Sequence, residues 1–240
     1  MRNQGHRQSY VVALVPARGG SKGLPRKNLR RVGELPLVAY SIRAGLDARL
    51  VDATFVSTDD SEIAEVAKAY GARVIPRPLE LADDHVQNDA VAIHALKQIA
   101  ATERMPDVLV LLQPTSPLRT AAHVDECLEA FLGADVPSAM SICEVCHHPG
   151  KYIVIKDGLI FPFTNDDDME AQRQELAPVY RQNGAIYVIR VPDFLASHRF
   201  YRPPCRPYLM SDAESIDIDS DLDLQVAELR VSRKAATKGA

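Results

Sequence analysis

A glycine-rich, positively charged loop follows the apolar run Tyr10 to Val15, and its residue types suit the binding of anions. The loop, residues 16–28, reads PARGGSKGLPRKN, and no acidic residue follows it before Glu34. Glycine lacks a Cβ, so backbone N–H groups can approach a ligand closely, and successive amides in such a turn form an anion-binding concavity. Four side chains add positive charge: Arg18, Lys22, Arg26 and Lys27. The loop therefore predicts a site for phosphate, and for several phosphates together.

Two known phosphate-binding motifs do not fit this loop. A P-loop needs lysine and then serine or threonine after its second glycine, but Gly23 is followed by Leu24 and Pro25. The dinucleotide-binding fingerprint needs a third glycine that opens a helix, and Pro25 stands in that neighbourhood. The remaining interpretations are a phosphate loop that relies on fixed cations and a solvated basic surface loop, and the specialised sequence favours the first.

An acidic segment, SIDIDSDLD at residues 215–223, is the second candidate for chemistry. In an extended chain Asp217 and Asp219 project to the same side. Two carboxylates beside bound phosphates form a hard oxygen site that suits Mg²⁺. The alternative is helix capping, since acidic residues favour helix N-termini, and capping fits Asp221 and Asp223 better than Asp217. We therefore predict Asp217 and Asp219 as metal ligands.

Alternating strand and helix patterns must position these two sites. Strands are predicted at residues 10–15, 53–57, 73–75, 108–112, 138–143 and 184–189. Helices are predicted after Pro36, after a cap at Ser61, over residues 90–100 and 124–131, and from Asp219 or Ser220. This alternation is typical of βαβ units and a mainly parallel sheet, whose ligands bind outside the carboxyl ends of the strands. The loop QPTSPLR at residues 113–119 leaves one strand at that edge, so it can converge with the first loop.

The periodicity fails between about His147 and Tyr180, where a hairpin is followed by polar sequence. We interpret residues 147–180 as a projecting arm, which commonly makes dimer contacts. The α/β domain is predicted to consist of residues 10–146 and 181–231. Residues 1–9 and 232–240 are predicted to be tails.

Composition and charge narrow the class of protein. The net charge of −4 argues against a general nucleic-acid or membrane partner, because those partners select basic surfaces. No apolar run approaches the ~18 residues that span a bilayer. The first nine residues lack the apolar region of a signal peptide, so we expect a cytoplasmic protein.

The four cysteines are expected to be reduced thiols in that compartment. The run from Cys143 through Cys146 to His147 matches the c-type haem attachment pattern, but it ends a strand-like run and no export signal precedes it. A zinc site there would lack a second, separated pair of ligands. We interpret the run as a strand-to-loop segment.

Five motifs, in this order, resemble those of the CMP-sialic acid synthetases (CMP-N-acylneuraminate cytidylyltransferases), particularly the bacterial ones. They are the first loop, QPTSPLR at 113–119, HHP at 147–149 before Lys151, NGAIY at 183–187 and SIDID at 215–219. The resemblance extends from about Val11 to Leu229. In the related CMP-Kdo synthetases the first motif usually ends in Lys-Pro, so Lys27-Asn28 favours the acylneuraminate branch.

The resemblance implies a Rossmann-like α/β fold of the nucleotidyltransferase type, with a mainly parallel sheet flanked by helices and a small protruding dimerisation arm. It implies transfer of CMP from CTP to the anomeric hydroxyl of a sialic acid, with Mg²⁺, and release of pyrophosphate. The alternatives are activation of another 3-deoxy-ulosonic acid (Kdo, Kdn, legionaminic or pseudaminic acid) and a nucleotide-binding module that has lost catalysis. Retention of both loop cations and both aspartates speaks against the last.

The resemblance also implies roles for individual residues. The catalytic residues would be Arg18, Lys27 and Asp217, and the metal ligands Asp217 and Asp219. The nucleotide would be bound by Arg18, Ser21, Lys22, Lys27, Asn28, Arg77 and Asn88. Asn88 stands where the family generally has a small hydroxyl residue, and its amide can supply an equivalent hydrogen bond.

On the sugar side the resemblance implies Gln113, Lys151, Arg173, Tyr187, Phe200 and Tyr201. Lys151 or Arg173 would pair with the acceptor's carboxylate, and the alternative is that both are surface charges of the arm. Phe200 and Tyr201 resemble an aromatic pair that reaches the neighbouring subunit's site, so a homodimer is expected, although core packing explains such an aromatic equally well.

Overall fold

A seven-stranded sheet forms the centre of the computed structural model, which describes residues 9–238. The strands are β1 (Val11–Pro16), β2 (Arg31–Val32), β3 (Leu35–Pro36), β4 (Ala53–Thr58), β5 (Arg73–Pro76), β6 (Val108–Leu111), β7 (Ser138–Glu144), β8 (Ile153–Lys156), β9 (Leu159–Pro162), β10 (Tyr180–Arg190) and β11 (Cys205–Leu209). The helices are α1 (Leu37–Leu46), α2 (Ser61–Ala69), α3 (Asn88–Thr102), α4 (Ala121–Leu132), α5 (Asp166–Glu170), α6 (Val191–Ser197) and α7 (Asp221–Lys238).

The order of the strands in this sheet is β11-β7-β10-β6-β1-β4-β5. The pairs β5–β4, β4–β1 and β1–β6 are parallel, as is β7–β11, whereas β10 runs antiparallel to both of its neighbours. The six predicted strands are confirmed, and so is the mainly parallel α/β class. Strand β11, helix α6 and the small β2–β3 hairpin were not predicted.

The central strands are buried on both faces because helices cover each side. On β1, Ala13 and Val15 pack in the core layer that includes α1, α2 and α4, whereas Val12 and Leu14 pack in the layer of α3 and α6. Successive side chains of a β-strand point to opposite faces of the sheet, so alternate residues of β1 enter different core layers. Because both faces are buried, every residue of β1 is apolar and the strand is a continuous apolar run in the sequence.

Strands β8 and β9 form a separate two-stranded sheet within the predicted arm. Its large apolar side chains face solvent, with Ile155 73% and Ile160 67% exposed. The predicted hairpin is therefore confirmed, and it leaves an apolar surface uncovered in a single chain.

Two local details differ from prediction. Asp60, not Ser61, caps α2, because its carboxylate accepts a hydrogen bond from the Ile63 N–H at 3.0 Å. Helix α7 continues through residues 232–238, which were predicted as tail. The remaining parts of the predicted tails, 1–8 and 239–240, lie outside the described residues. Within the described part, no helix is long and apolar enough to cross a membrane.

The Cys143 segment is part of the sheet. Cys143 is buried in β7, and all four cysteines are free thiols. Over residues 9–238, no three His, Cys, Asp or Glu side chains are grouped as metal ligands would be.

Candidate active site

A cavity of about 300 Å³ lies where the first loop, the loop after β6 and the acidic segment before α7 converge. We call it the cationic cleft. It contains nine of the predicted site residues: Arg18, Ser21, Lys27, Asn28, Arg77, Asn88, Gln113, Asp217 and Asp219. Because β1 and β6 are parallel neighbours, the loops that leave their carboxyl ends meet at one edge of the sheet.

The first loop is held against the acidic segment by direct contacts. The ammonium of Lys27 donates to the backbone oxygen of Ile218 at 2.8 Å and to Asp219 Oδ1 at 3.0 Å. At Gly23, an added Cβ would lie 2.8 Å from the Asp219 backbone oxygen, so only glycine permits this approach. The predicted phosphate loop and the predicted metal ligands are thus parts of one site.

Inside the loop, Asn28 has a structural role. Its side chain is buried, and its amide donates to the Arg18 backbone oxygen at 2.8 Å. This bond fixes the turn that presents Arg18 to the cleft.

Arg18 and Lys22 share one carboxylate, that of Asp84. The Arg18 guanidinium lies 2.5 Å from Asp84 Oδ1, and the Lys22 ammonium lies 3.0 Å from Asp84 Oδ2. Lys22, and then Arg18, hold the pKa of the Asp84 carboxyl below its usual range. Asp84 was not predicted as a site residue, since a single acidic residue 62 positions beyond Lys22 has no local signal.

Arg77 directly follows β5, lies beside the carboxyl end of β4 and lines the cleft. Its guanidinium is buried and donates to the Ser57 hydroxyl at 3.2 Å and to the Ser57 backbone oxygen at 2.6 Å. Burial lowers its pKa to about 10, against an opposing effect of Asp59. The side chain therefore remains a cation at neutral pH.

Asp217 differs from Asp219 in its surroundings. Asp217 is reached by solvent at the mouth of the cleft, yet nearby protein atoms partly desolvate its carboxyl and raise its pKa. A hydrogen bond from Thr115 opposes this rise, whereas the charge of Asp219 adds to it. At Gly184 (φ +75°), a Cβ would lie 2.8 Å from Gln113 Oε1 and 3.5 Å from Asp217 Oδ2. The glycine of the NGAIY motif therefore lets both side chains lie against β10.

The donor set fits Mg²⁺ rather than a structural metal. Asp217 and Asp219 offer carboxylate oxygens in a cleft with cations for phosphate, and Mg²⁺ is commonly held by one or two carboxylates plus substrate phosphates. Ser220 and Asp223 cap α7 reciprocally: the Ser220 hydroxyl accepts from the Asp223 N–H at 3.3 Å, and Asp223 Oδ2 accepts from the backbone N–H groups of Ser220 and Asp219. Asp217 has no part in that cap.

A second cavity, of about 540 Å³, adjoins the first and shares Val86, Asn88 and Gln113 with it. We call it the aromatic cleft. Its other lining residues include Gln182, Tyr187, His198, Arg199, Phe200 and Tyr201. The ring centroids of Tyr187 and Phe200 lie 6.1 Å apart. Burial raises the pKa of Tyr187, and the charge of Asp217 adds to this rise.

The reach of Phe200 and Tyr201 into a neighbouring subunit's site stays a prediction. Both line the chain's own aromatic cleft. The reason is helix α6, which turns the chain back after β10 and lets buried Phe194 pack on Phe200 with a centroid distance of 4.8 Å.

Lys151 and Arg173 lie in the arm and line neither cleft of the same chain. The Lys151 ammonium donates to the backbone oxygens of Met169, at 2.6 Å, and Ala171. Arg173 donates to the backbone oxygen of Cys146. Both cations donate to backbone carbonyl groups, two of them within the arm and one, that of Cys146, directly before it.

Arg119, which was not predicted as functional, ties the two clefts to the sheet. Its buried guanidinium donates to the backbone oxygens of Gln113, at 3.1 Å, and Ala185, at 2.8 Å, and also to the Ser41 hydroxyl. Burial lowers its pKa to about 9. Since Gln113 borders both clefts, Arg119 positions that border.

Comparison with known proteins was made on sequence and on structure. The chain matches the cytidylyltransferase family model over residues 12–227. It is 32% identical over 211 residues to N-acylneuraminate cytidylyltransferase of Streptococcus agalactiae serotype III, covering 87% of this chain and 50% of that protein. The chain thus spans about half the length of that relative.

A relative of similar length is CMP-N,N'-diacetyllegionaminic acid synthase of Legionella pneumophila, 32% identical over 225 residues, or 91% of this chain and 94% of that protein. Among solved structures, CMP:2-keto-3-deoxy-manno-octonic acid synthetase complexed with CTP has a TM-score of 0.69 at 18% identity, covering 94% of this chain and all of that one. The structural match supports the fold alone, and the sequence matches confirm the family resemblance carried by the motifs.

Proposed function

Because this chain belongs to the cytidylyltransferase family, we propose that it transfers CMP from CTP to the anomeric hydroxyl of a nonulosonic acid and releases pyrophosphate. The observation that best supports this proposal is that the two clefts are adjacent. One combines phosphate-loop cations with a pair of carboxylates, the other has aromatic and amide walls, and both share Asn88 and Gln113. A nucleotide in the first cleft and a sugar in the second would meet beside Asp217.

The proposed reaction joins the anomeric oxygen to the α-phosphorus, breaks the bond from that phosphorus to the oxygen of the departing pyrophosphate, and frees the hydroxyl proton. Such transfers depend on positioning and on charge stabilisation more than on covalent chemistry. Arg18, Lys22 and Lys27 would neutralise the negative charge that grows on the pyrophosphate. For Arg18 and Lys22, the phosphates would replace the carboxylate of Asp84.

We propose Asp217 and Asp219 as the residues that would hold Mg²⁺. When bound, the ion would supply further charge neutralisation to the phosphates. Lys27 already touches Asp219, so phosphate, lysine and carboxylate would form one network. The raised pKa of Asp217 means that a proton competes for its carboxylate more strongly than at an ordinary aspartate.

For the acceptor, we propose a sialic acid, with N,N'-diacetyllegionaminic acid as the second candidate. The second candidate is favoured by length, since the Legionella relative is matched over 94% of its chain, against 50% for the streptococcal one. Both sugars are nonulosonic acids, and the aromatic cleft offers Gln113, Gln182 and Tyr187 to their hydroxyl and amide groups.

The test is pyrophosphate release from CTP and Mg²⁺ with a panel of acids: N-acetylneuraminic, N,N'-diacetyllegionaminic and pseudaminic acid, Kdn and Kdo. Release with N-acetylneuraminic acid is expected, and release that is faster with the legionaminic acid would select the second candidate. No release with any acid would contradict the enzymatic proposal. Release with Kdo alone would show that the assigned branch is wrong.

We also propose that the chain forms a homodimer through the β8–β9 hairpin and acts in the cytoplasm. Exposed Ile155 and Ile160 give the hairpin an apolar face, which commonly marks a protein interface. Free thiols, among them exposed Cys146, fit a reducing compartment.

Sedimentation velocity tests the dimer with the double variant Ile155→Lys/Ile160→Lys. We expect the variant to sediment as a monomer while the wild type sediments as a dimer. The matched control is Leu79→Lys, since Leu79 is 77% exposed outside the hairpin and should leave the association unchanged. A monomeric wild type would contradict the proposal.

A further inference from the structure

We infer that Leu24 and Ile218 position the two proposed metal ligands against the first loop, a role that rests on the proposed function. Both residues are apolar and belong to a part of the core that is separate from the two layers on the faces of the sheet. We call it the third cluster, and its buried residues are Leu24, Val32, Leu37, Ile218 and Ala227. None of these five described side chains lines either cleft, so their effect on a bound metal would pass through other residues.

Ile218 separates the two proposed metal ligands in the sequence. Asp217 and Asp219 are exposed, whereas the side chain of Ile218 between them is fully buried. This alternation is that of an extended segment, in which successive side chains lie on opposite sides. Burial of Ile218 in the third cluster therefore directs both carboxylates to the other side, where the cationic cleft lies.

The backbone of Ile218 is bound to both neighbouring loops. Its N–H donates to the backbone oxygen of Thr115, in the loop after β6, at 2.9 Å. Its backbone oxygen accepts from the ammonium of Lys27, in the first loop, at 2.8 Å. Thr115 and Lys27 both line the cationic cleft. Ile218 thus joins the three segments that form this cleft.

Leu24 anchors the first loop to the same cluster. Its side chain is 1% exposed, and its backbone oxygen accepts from the Lys27 N–H at 3.1 Å. Directly before it, the loop passes so close to the acidic segment that a Cβ on Gly23 would lie 2.8 Å from the Asp219 backbone oxygen. Since Leu24 shares a buried cluster with Ile218, displacement of either side chain would change the spacing between the loop and the acidic segment.

The other buried residues of the third cluster come from elements outside the cleft. Val32 lies in β2, Leu37 begins α1 and Ala227 lies in α7. Close-packed side chains have few voids, so a displacement within the cluster is passed on rather than absorbed. Packing behind the carboxylates therefore sets their geometry, as residues around the ligands do in other metal sites.

Metal binding by Ile218→Ala tests this role without turnover. Mn²⁺ is the probe, and its affinity is measured by electron paramagnetic resonance with a non-reactive CTP analogue present. Loss of a residue that orients metal ligands typically weakens binding by about 10- to 100-fold, so we expect the Kd for Mn²⁺ to rise about tenfold or more. Ile218→Val removes a single methyl group and should raise this Kd only about two- to threefold.

The matched control is Ile99→Ala. Ile99 is also 1% exposed but packs in the layer of α3 and α6. Both alanine variants should melt at a lower temperature than the wild type, because each leaves a cavity in the core. Only Ile218→Ala should bind Mn²⁺ more weakly, and equal Mn²⁺ affinities for the two variants would overturn the positioning role. If Ile218→Ala does not fold, Ile218→Val and Ile99→Val give the same comparison with smaller cavities.

Leu24→Ala tests the third cluster from the side of the first loop. We expect the Kd for Mn²⁺ to rise about tenfold here as well. In the double variant Leu24→Ala/Ile218→Ala, the rise should be well below the product of the two single effects, since both residues act through one cluster. Effects that multiply would show that the two residues act independently, which contradicts a shared role.

These measurements also distinguish the positioning role from the proposed function. A wild type that binds Mn²⁺ but releases no pyrophosphate with any acid contradicts the proposed reaction, and the variants still decide the positioning role. If the wild type releases pyrophosphate while Ile218→Ala and Leu24→Ala keep its Mn²⁺ affinity, only the positioning role is wrong. A wild type that binds no Mn²⁺ contradicts both the proposed metal site and the positioning role.

Discussion

The cationic cleft and the aromatic cleft share a border but balance their charges differently. In the cationic cleft, Arg18 and Lys22 are paired with Asp84, and Lys27 is paired with Asp219. In the aromatic cleft, Arg199 has no carboxylate partner among the residues that the structure describes, and the walls are aromatic rings and amides.

The difference teaches how each ligand would bind. Internal carboxylates hold in place the cations that we propose for phosphate, so a triphosphate would have to replace Asp84 and would gain less than it would from free cations. The first cleft is thus organised by its own ion pairs, and the second by ring packing.

The largest expected effect is that of Asp217→Asn. Loss of one metal carboxylate should lower kcat about a hundredfold or more, since stabilisation by the metal is worth several kcal/mol in such reactions. Pyrophosphate release at saturating CTP and acceptor measures this. The control is Asp221→Asn, because Asp221 is exposed and pairs with Arg30 at 3.1 Å outside the cleft. Wild-type turnover by Asp217→Asn would refute the metal assignment.

The same variant makes a prediction about pH. Desolvation raises the folded-state pKa of Asp217 above its unfolded value, so the folded state binds more protons than the unfolded state between the two pKa values. The stability of the wild type therefore falls as pH rises through that window. Asparagine has no charge, so Asp217→Asn should melt at a higher temperature than the wild type at pH 7. The difference should disappear below the usual pKa range of aspartate, and thermal melts across pH would reveal it.

The next largest effect is expected from Arg119→Lys. This substitution should affect both clefts, because Arg119 donates a hydrogen bond to Gln113, which borders both. The Arg119 guanidinium donates to the backbone oxygens of Gln113 and Ala185 and to the Ser41 hydroxyl. A lysine ammonium cannot reproduce this planar arrangement of donors, so buried acceptors would lose their hydrogen bonds. We expect the free energy of unfolding to fall by about 2–4 kcal/mol in urea titrations.

The control for that measurement is Arg49→Gln. Arg49 pairs with Glu129 at 2.6 Å on the surface, with more than half of each side chain exposed, and its loss should cost below about 1 kcal/mol. Equal costs for the two variants would mean that the border between the clefts does not depend on Arg119.

A smaller effect is expected from Gly23→Ala, which tests the contact between the first loop and the acidic segment. The new Cβ would lie 2.8 Å from a backbone oxygen, which cannot move without shifting Asp219. We expect kcat/KM for CTP to fall about tenfold, or about 1.4 kcal/mol. Wild-type kcat/KM in Gly23→Ala would show that the contact at Gly23 is unimportant.

The smallest effect is expected from Asp84→Asn, and its direction is the informative part. Removal of the carboxylate frees Arg18 and Lys22, so the KM for CTP should fall about two- to fivefold, less so at high salt. Asp83→Asn is the control, because Asp83 lines the same cleft but accepts from the His85 N–H instead. A higher KM for Asp84→Asn would mean that Asp84 organises the cations more than it competes with phosphate.

The local sequence determined those features of this protein that depend only on residues close together in the chain. The buried strand β1, the glycine-rich loop and the pair Asp217 and Asp219 could each be predicted, because apolar runs, glycine and alternate carboxylates have direct local meaning. The predicted sheet followed from the alternation of such elements. Strand β11 could not be predicted, since it is short, largely exposed and interrupted by Pro207.

Only the tertiary structure decided which side chains meet. Lys27 contacts Asp219 across 192 positions of sequence, and Arg18 reaches Ala82 across 64. The roles of Asp84 and Arg119, and the place of Phe200 in its own chain's cleft, depend in the same way on how strands and helices pack. No local pattern encodes such contacts, because they form only when the sheet brings the carboxyl ends of distant strands to one edge.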